Sequence, residues 1–165
     1  MAWTDPRTWT IGEIVTKAIM DTHVRDNLNE TWHEMAYVEF TADVTTTATT
    51  EAGAATVVSS GAVTLAAVPT VIEFFCVKVE STTSGPVPIV FLTEDGTSLG
   101  TIGEVGVGGS GPMKAERRKT PTAASHTYII KLYTGVAGTV ACRAGVGGPA
   151  TKLPGFIRIW QKGAA

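Results

Sequence analysis

The glycine-rich stretch at positions 106–111 is the first place where this sequence could do chemistry. It reads Gly-Val-Gly-Gly-Ser-Gly and matches the G-x-G-x-x-G pattern of dinucleotide-binding loops. Such a loop binds a pyrophosphate only when a buried strand precedes it and a helix starts at its third glycine. Here Pro112 and a charged run at 114–119 follow directly, without a helical period. We therefore expect a glycine loop between two strands, and no cofactor.

The histidines and cysteines lack the spacing of a metal site. His23 and His33 lie near each other and His126 lies far along the chain, and the sequence contains no C-x-x-C or H-x-x-x-H. Cys76 and Cys142 each lie inside an apolar run. This setting favours two free, buried thiols, with a disulfide between neighbouring strands as the alternative. We expect no metal ion.

The charged residues do not form a catalytic set either. No two carboxylates stand out as an acid and a base. Glu116, Arg117 and Arg118 form a charge cluster on a predicted strand. A solvated edge that discourages strand addition is the favoured interpretation, and inter-subunit charges are the alternative. We therefore expect that the protein is not an enzyme.

The overall composition fits one globular domain. The 165 residues are 44% hydrophobic and 17% charged, which is enough chain to bury a core without metals or disulfides. With 13 Lys and Arg against 15 Asp and Glu, no basic excess exists to neutralise a phosphate backbone, so we expect no nucleic-acid partner. The longest mostly apolar stretch, 62–79, is interrupted by polar residues and is therefore not hydrophobic enough for membrane insertion. Residues 1–7 do not resemble a signal peptide, which indicates a protein made in a cytosol.

Most of the chain alternates like a sheet protein. From 36 to 161, about nine or ten short runs rich in β-branched and aromatic residues are bounded by Gly, Pro, Ser or Asp. Asp95 and Gly96 form a strong turn signal between two such runs. The pattern predicts a mainly β fold, an antiparallel β-sandwich of jelly-roll type, over residues 36–165.

The first 35 residues hold all of the helical character. Two tryptophans around a proline predict an extended arm, and Thr16 can serve as the N-cap of a helix over 16–35. Such a short amphipathic helix needs a partner. We favour other copies of the chain, in a three-stranded bundle, over its own β-domain. The apolar stripe of this oligomer helix has spacings of four, four, four and three residues: Met20, Val24, Leu28, Trp32 and Met35.

The N-terminal residues also resemble a recurrent N-terminus of tailed-phage structural proteins. Those proteins typically read W-x-x-G-E-x-V-T and then N-T-H-x-R-D-N-L. Residues 9–16 here read W-T-I-G-E-I-V-T and residues 21–28 read D-T-H-V-R-D-N-L. Asp21 replaces the usual asparagine, which is a small departure at a helix surface position.

Further pieces are similar to a domain of predicted tail proteins of phages that infect actinobacteria. They are V-I-E-F-F at 71–75, L-x-E-D-G at 92–96, A-E-R-R-x-T-P at 115–121, S-H-T-Y at 125–128 and L-P-G-F-I-R-I at 153–159. The resemblance spans nearly the whole chain. It implies a virion component of the minor tail or tail fibre type, with a compact β-sandwich that tends to trimerise.

From the resemblance we expect a homotrimeric structural protein of a tailed-phage virion, assembled in the host cytoplasm. The N-terminal arm would attach it to other virion proteins of the tail or capsid, because aromatic side chains in pockets dominate interface energies. A capsid decoration protein is the alternative. A carbohydrate-binding module that contacts a host-surface glycan is an alternative of another class. The candidate attachment residues are Trp3, Pro6, Arg7 and Trp9.

Overall fold

The computed structural model describes residues 14–20 and 31–163, which form one short α-helix, one 3-10 turn (Glu51–Gly53) and ten strands. The helix is α1 (Lys17–Met20). The strands are β1 (Trp32–Phe40), β2 (Val44–Thr46), β3 (Ala55–Leu65), β4 (Thr70–Ser81), β5 (Pro88–Glu94), β6 (Thr97–Glu104), β7 (Ser110–Lys119), β8 (Ala124–Thr134), β9 (Val140–Arg143) and β10 (Gly155–Lys162).

The strands form two antiparallel sheets. The six-stranded sheet has the order β1-β10-β4-β9-β2, and β7 pairs with the other side of β4. The four-stranded sheet has the order β3-β8-β5-β6. The predicted mainly β, antiparallel sandwich is therefore confirmed.

The core lies between the inner surfaces of the two sheets. Phe74, Ile157 and Ile159 of the six-stranded sheet are fully buried, as are Tyr128 and Ile130 of the four-stranded sheet. In β10, and in β8 from His126 onward, buried residues alternate with partly exposed neighbours, as the period of two requires, whereas in β4 Glu73 beside Phe74 is buried as well. Burial of each apolar side chain of this core contributes about 1.5–3 kcal/mol to the free energy of unfolding.

The two predicted connections are present. Asp95 and Gly96 join β5 to β6 with φ angles of 50° and 83°, which is the pair of positive values of a type I′ hairpin turn. The glycine-rich stretch lies between β6 and the start of β7, and a strand rather than a helix follows it. The prediction of a glycine loop between strands is confirmed.

The predicted helix over 16–35 is wrong at its C-terminal end. Thr16 does act as N-cap, since its Oγ1 accepts a hydrogen bond from the backbone N–H of Ile19 at 3.3 Å. The described helix, however, covers only Lys17–Met20, and Trp32 and Met35 belong to β1. Trp32 pairs with Lys162 of β10, whereas Met35 is the extra residue of a bulge in this pairing, between Glu34 and Ala36.

The first strand of the sandwich begins at Trp32, four residues before the predicted domain boundary at residue 36. Trp32 and Met35 continue the predicted stripe at spacings of four and three residues although they lie in a strand, so the helical spacing at these two positions is a coincidence. The remaining members of the predicted stripe and the predicted arm lie outside the described residues: Val24, Leu28, Trp3, Pro6, Arg7 and Trp9.

Candidate functional site

The outer surface of the six-stranded sheet carries most of the partly exposed aromatic side chains of residues 14–20 and 31–163. Side chains alternate between the two faces of a strand, so alternate residues of neighbouring strands gather on this surface. We call it the aromatic face. It consists of Trp32, Glu34, Tyr37 and Glu39 of β1, Phe156, Arg158, Trp160 and Lys162 of β10, Val71, Glu73 and Phe75 of β4, and Lys114, Glu116 and Arg118 of β7.

Aromatic rings contact one another across three strands of this face. The ring of Phe156 lies 5.2 Å from that of Tyr37 and 5.5 Å from that of Phe75, between centroids. The guanidinium of Arg158 lies 5.4 Å from the ring of Phe156 and 4.7 Å from that of Trp160. Such cation–π contacts attract the guanidinium to both rings.

A buried carboxylate lies beneath the arginine. Glu73 is only 4% exposed, and its Oε2 accepts hydrogen bonds from Nε and Nη2 of Arg158 at 2.9 and 2.6 Å. Nζ of Lys114 lies 3.1 Å from its Oε1. Burial raises the pKa of Glu73, but the hydrogen bonds from Arg158 and Lys114 outweigh burial and lower this pKa below its usual value. The carboxylate is therefore ionised and fully engaged.

Two clefts of about 270 Å³ each adjoin at Trp32, at one end of the face. The first is apolar and lies between Trp32, Val71 and Trp160. The second has a mixed polar and apolar lining that includes Arg118 and Thr120. The clefts offer flat indole surface for packing, but their geometry provides no nucleophile with an adjacent base.

A second cluster of titratable groups lies around His126, which is 8% exposed. Its Nδ1 lies 2.9 Å from the carboxylate of Asp95, and its Nε2 lies 3.1 Å from the carbonyl oxygen of Thr122. Glu94 accepts a hydrogen bond from the hydroxyl of Tyr128 at 2.7 Å and forms an ion pair with Lys119. The cluster ties the β5–β6 turn to the ends of β7 and β8.

The contacts of His126 are suited to holding the surrounding strands together rather than to general-base catalysis, and we call this cluster the clamp. Burial lowers the pKa of His126, but the contacts with Asp95, with the carbonyl of Thr122 and with Glu94 outweigh burial, so the pKa is raised. When the ring is protonated, it donates to Asp95 from Nδ1 and to the carbonyl of Thr122 from Nε2, which leaves neither nitrogen free to accept a proton from a substrate. Burial and the contact with Glu94 raise the pKa of Tyr128 as well, so its hydroxyl remains a donor.

The clamp predicts a pH-dependent stability. Because the pKa of His126 is raised in the folded state, its contribution is fully present below the unfolded pKa of about 6.5 and is lost as the pH rises through the folded value. We expect the free energy of unfolding, measured by urea denaturation, to fall over this interval in the wild type. The fall should be smaller in His126→Gln.

The matched control for this experiment is His33→Gln, because His33 is exposed at the start of β1. This variant should retain the wild-type pH dependence. A His126→Gln variant with an unchanged slope over the same interval would contradict the clamp.

A third polar cluster joins β9 to β4 and to the segment before β2. Nε of Arg143 donates to Glu80 at 2.6 Å and its Nη1 donates to Asp43 at 2.8 Å. Asp43 also accepts a hydrogen bond from the backbone N–H of Ala144 at 3.0 Å. Each of these charged side chains thus has hydrogen-bond partners within the cluster, which is typical of a network that stabilises the fold.

The two cysteines are free and buried, which confirms the prediction of buried thiols. Sγ of Cys76 lies 3.3 Å from the carbonyl oxygen of Lys78 and 3.4 Å from that of Arg143. Contact with Cys76 and burial raise the pKa of the Cys142 thiol, so it is unreactive as a nucleophile.

The predicted charge cluster is divided between the two faces of β7. Glu116 and Arg118 belong to the aromatic face, because they pair with Glu73 and Val71 of β4. Arg117 lies between them and therefore points to the opposite side, where it is exposed. Whether these residues contact another subunit stays a prediction.

Sequence reasoning did not find the aromatic face. The signal was present in β10, where Phe156, Arg158 and Trp160 alternate with buried residues at a period of two. Their neighbours on β1 and β4 come from distant parts of the sequence, so only the strand order shows that the rings meet.

Residues 14–20 and 31–163 contain no group of three or more His, Cys, Asp or Glu side chains placed to hold a metal ion. Within the same residues, no helix has the length and hydrophobicity needed to cross a membrane.

The comparisons with known proteins do not assign a family. No model of a known protein family matches the chain, and a search of curated proteins finds no significant match.

Proposed function

We propose that the protein is a non-catalytic structural component of a tailed-phage virion, homotrimeric and anchored by its N-terminal residues. The aromatic face is the observation that carries the structural part of this proposal. Trp32 and Tyr37 are 45% and 44% exposed on this face. Monomeric proteins rarely expose a contiguous apolar surface of this kind to solvent. The titratable clusters around His126 and Arg143 connect strands within the sandwich, as expected for a structural protein.

The phage assignment rests on the resemblance of the N-terminal residues and of the short segments in the β-domain. Residues 1–31 lie before the first strand of the sandwich and include the candidate attachment residues. A tail-associated or fibre position is the favoured location, and capsid decoration is the alternative within the same class. Gold-labelled protein bound to purified particles would distinguish the two, since it marks either the tail or the capsid.

We expect that Trp3→Ala combined with Trp9→Ala prevents attachment to the particle. If each tryptophan is an interface anchor worth about 2 kcal/mol, one substitution should weaken binding about thirtyfold and both together should weaken it further. The measurement is co-sedimentation of purified protein with particles assembled without it.

The control is Leu153→Ala, which removes a large apolar side chain, 58% exposed, from a loop of the sandwich. It should bind like the wild type. Undiminished binding of the double tryptophan variant would rule out the arm as the anchor.

A carbohydrate-binding module is the second candidate, and the cleft between Trp32 and Trp160 favours it. Sugars stack on flat aromatic rings and also need hydrogen-bond partners beside them. The cleft is lined by Trp32, Val71 and Trp160 and is almost entirely apolar, which makes this candidate the weaker one. Binding on a glycan array that is lost in Trp160→Ala would support it over a purely structural role.

A further inference from the structure

The aromatic face carries its charges in columns that follow the strands. The β1 column is acidic, with Glu34 and Glu39 on the face. The β7 column carries Lys114 and Arg118, with Glu116 between them. Glu34, Lys114 and Glu116 have side chains that are 42%, 61% and 44% exposed. The face is therefore negative along one edge and net positive along the other.

The strand register arranges these residues in rows across the sheet. Each row runs from β1 through β10 and β4 to β7. The first row is Glu34, Trp160, Val71 and Arg118, and the second is Tyr37, Arg158, Glu73 and Glu116. The third row is Glu39, Phe156, Phe75 and Lys114. The first and third rows have aromatic and aliphatic side chains in their centre, and the second row has the Arg158–Glu73 pair there. All three rows have exposed polar groups at their ends.

We propose that the aromatic face binds the same face of a second copy of this chain, about a twofold axis that runs parallel to the strands. Such a rotation keeps each row in place and exchanges its ends. Glu34 then lies opposite Arg118 of the second copy, and Glu39 lies opposite its Lys114. Each contact occurs twice, because a twofold interface is isologous.

The central columns are also complementary under this rotation. Trp160 packs over Val71 of the second copy, and Phe156 packs over its Phe75. The two sheets face each other as in a sandwich, about 10 Å apart and with strands aligned to within about 30°.

The charge pattern selects this axis over the other in-plane axis. A twofold axis across the strands would place β1 opposite β1, so that Glu34 and Glu39 face acidic residues. Like charges across an interface oppose association. With the axis parallel to the strands, the acidic β1 edge of each copy lies opposite the basic β7 edge of the other copy.

The size of the face is that of a modest interface. With strands about 4.8 Å apart and a rise of about 3.4 Å per residue, the three rows together with Trp32 and Lys162 cover about 450 Å² per copy. The two copies together bury about 900 Å², which is in the size range of weak, transient associations. We therefore expect an association that depends on concentration. This inference rests on the register and charges of the face, not on the virion assignment.

The test uses the full chain and two charge reversals, Glu34→Arg and Arg118→Glu. Each one places like charges at both symmetric contacts and should weaken the face pairing at least about thirtyfold. Sedimentation equilibrium at about 10–200 μM should give each variant half the mass of the wild type. An equimolar mixture of the two variants should recover the wild-type mass. In the mixed pair, the arginine introduced at position 34 meets the glutamate introduced at position 118, and the native pair remains at the other contact.

Arg117→Glu is the matched control, since it makes the same charge change at the neighbouring position on the opposite side of β7. It should keep the wild-type mass. Thermal unfolding checks the fold of every variant, and Glu39→Arg reverses the same acidic column if Glu34→Arg does not fold.

Three results would overturn the pairing: equal masses for wild type and Glu34→Arg, no recovery in the mixture, or an equal loss in Arg117→Glu. The mass of Glu34→Arg itself, one chain or three, reports separately on the proposed homotrimer. Attachment to particles is measured by the tryptophan variants, so the two proposals can fail independently.

Discussion

A Gly155→Ala variant should lose about 3 kcal/mol of the free energy of unfolding, at the upper end of the range for overpacking a core. A Cβ at this position would lie 2.2 Å from two ring atoms of Phe40 and 2.9 Å from the backbone oxygen of Phe75. The backbone of Gly155 does not have a positive φ, so the added methyl is unfavourable through contact alone. Urea denaturation followed by circular dichroism measures the loss.

Gly111→Ala is the control for this substitution. Gly111 also lies in a strand, but a Cβ there meets no atom within 4 Å, so this variant should be as stable as the wild type or slightly more stable. Phe40→Leu in the Gly155→Ala background removes the clashing ring atoms and should recover part of the loss. Full stability of Gly155→Ala would show that β1 and β10 pack differently from the described register.

Arg158→Ala should destabilise the protein by about 2 kcal/mol, because it leaves the buried carboxylate of Glu73 with Lys114 as its remaining cationic partner. Arg158 is 30% exposed, so solvent compensates part of the lost ion pair. The variant also loses the contacts between the guanidinium and the rings of Phe156 and Trp160. Urea denaturation at pH 7 measures the difference.

The double variant Arg158→Ala/Glu73→Gln separates these causes. If a stranded charge dominates the loss, the double variant is more stable than Arg158→Ala alone. In the wild type, the contribution of Glu73 is present above the ordinary pKa of a glutamate and is lost as the pH falls through its lowered pKa. A double variant that is no more stable than Arg158→Ala would assign the loss to packing instead.

The strands of this protein were predictable because their signals are local. Alternation of β-branched and polar residues, with Asp95 and Gly96 at a hairpin turn, is determined by neighbours in the sequence. The predicted helix was wrong at Trp32 and Met35 for the same reason. The spacing rule uses only neighbouring residues, whereas the strand that contains Trp32 and Met35 is formed by the pairing of β1 with β10, which lies over a hundred residues away.

The sequence by itself determined a β-sandwich, an Asp-Gly hairpin turn, a glycine loop between two strands and two buried thiols. Each follows from residue type and short-range spacing. Only the tertiary structure decided that Glu73 is buried beneath Arg158, that His126 is clamped by Asp95, and that acidic and basic columns lie at opposite edges of one aromatic face. These features depend on strand order and register, which are set by packing between segments far apart in the chain.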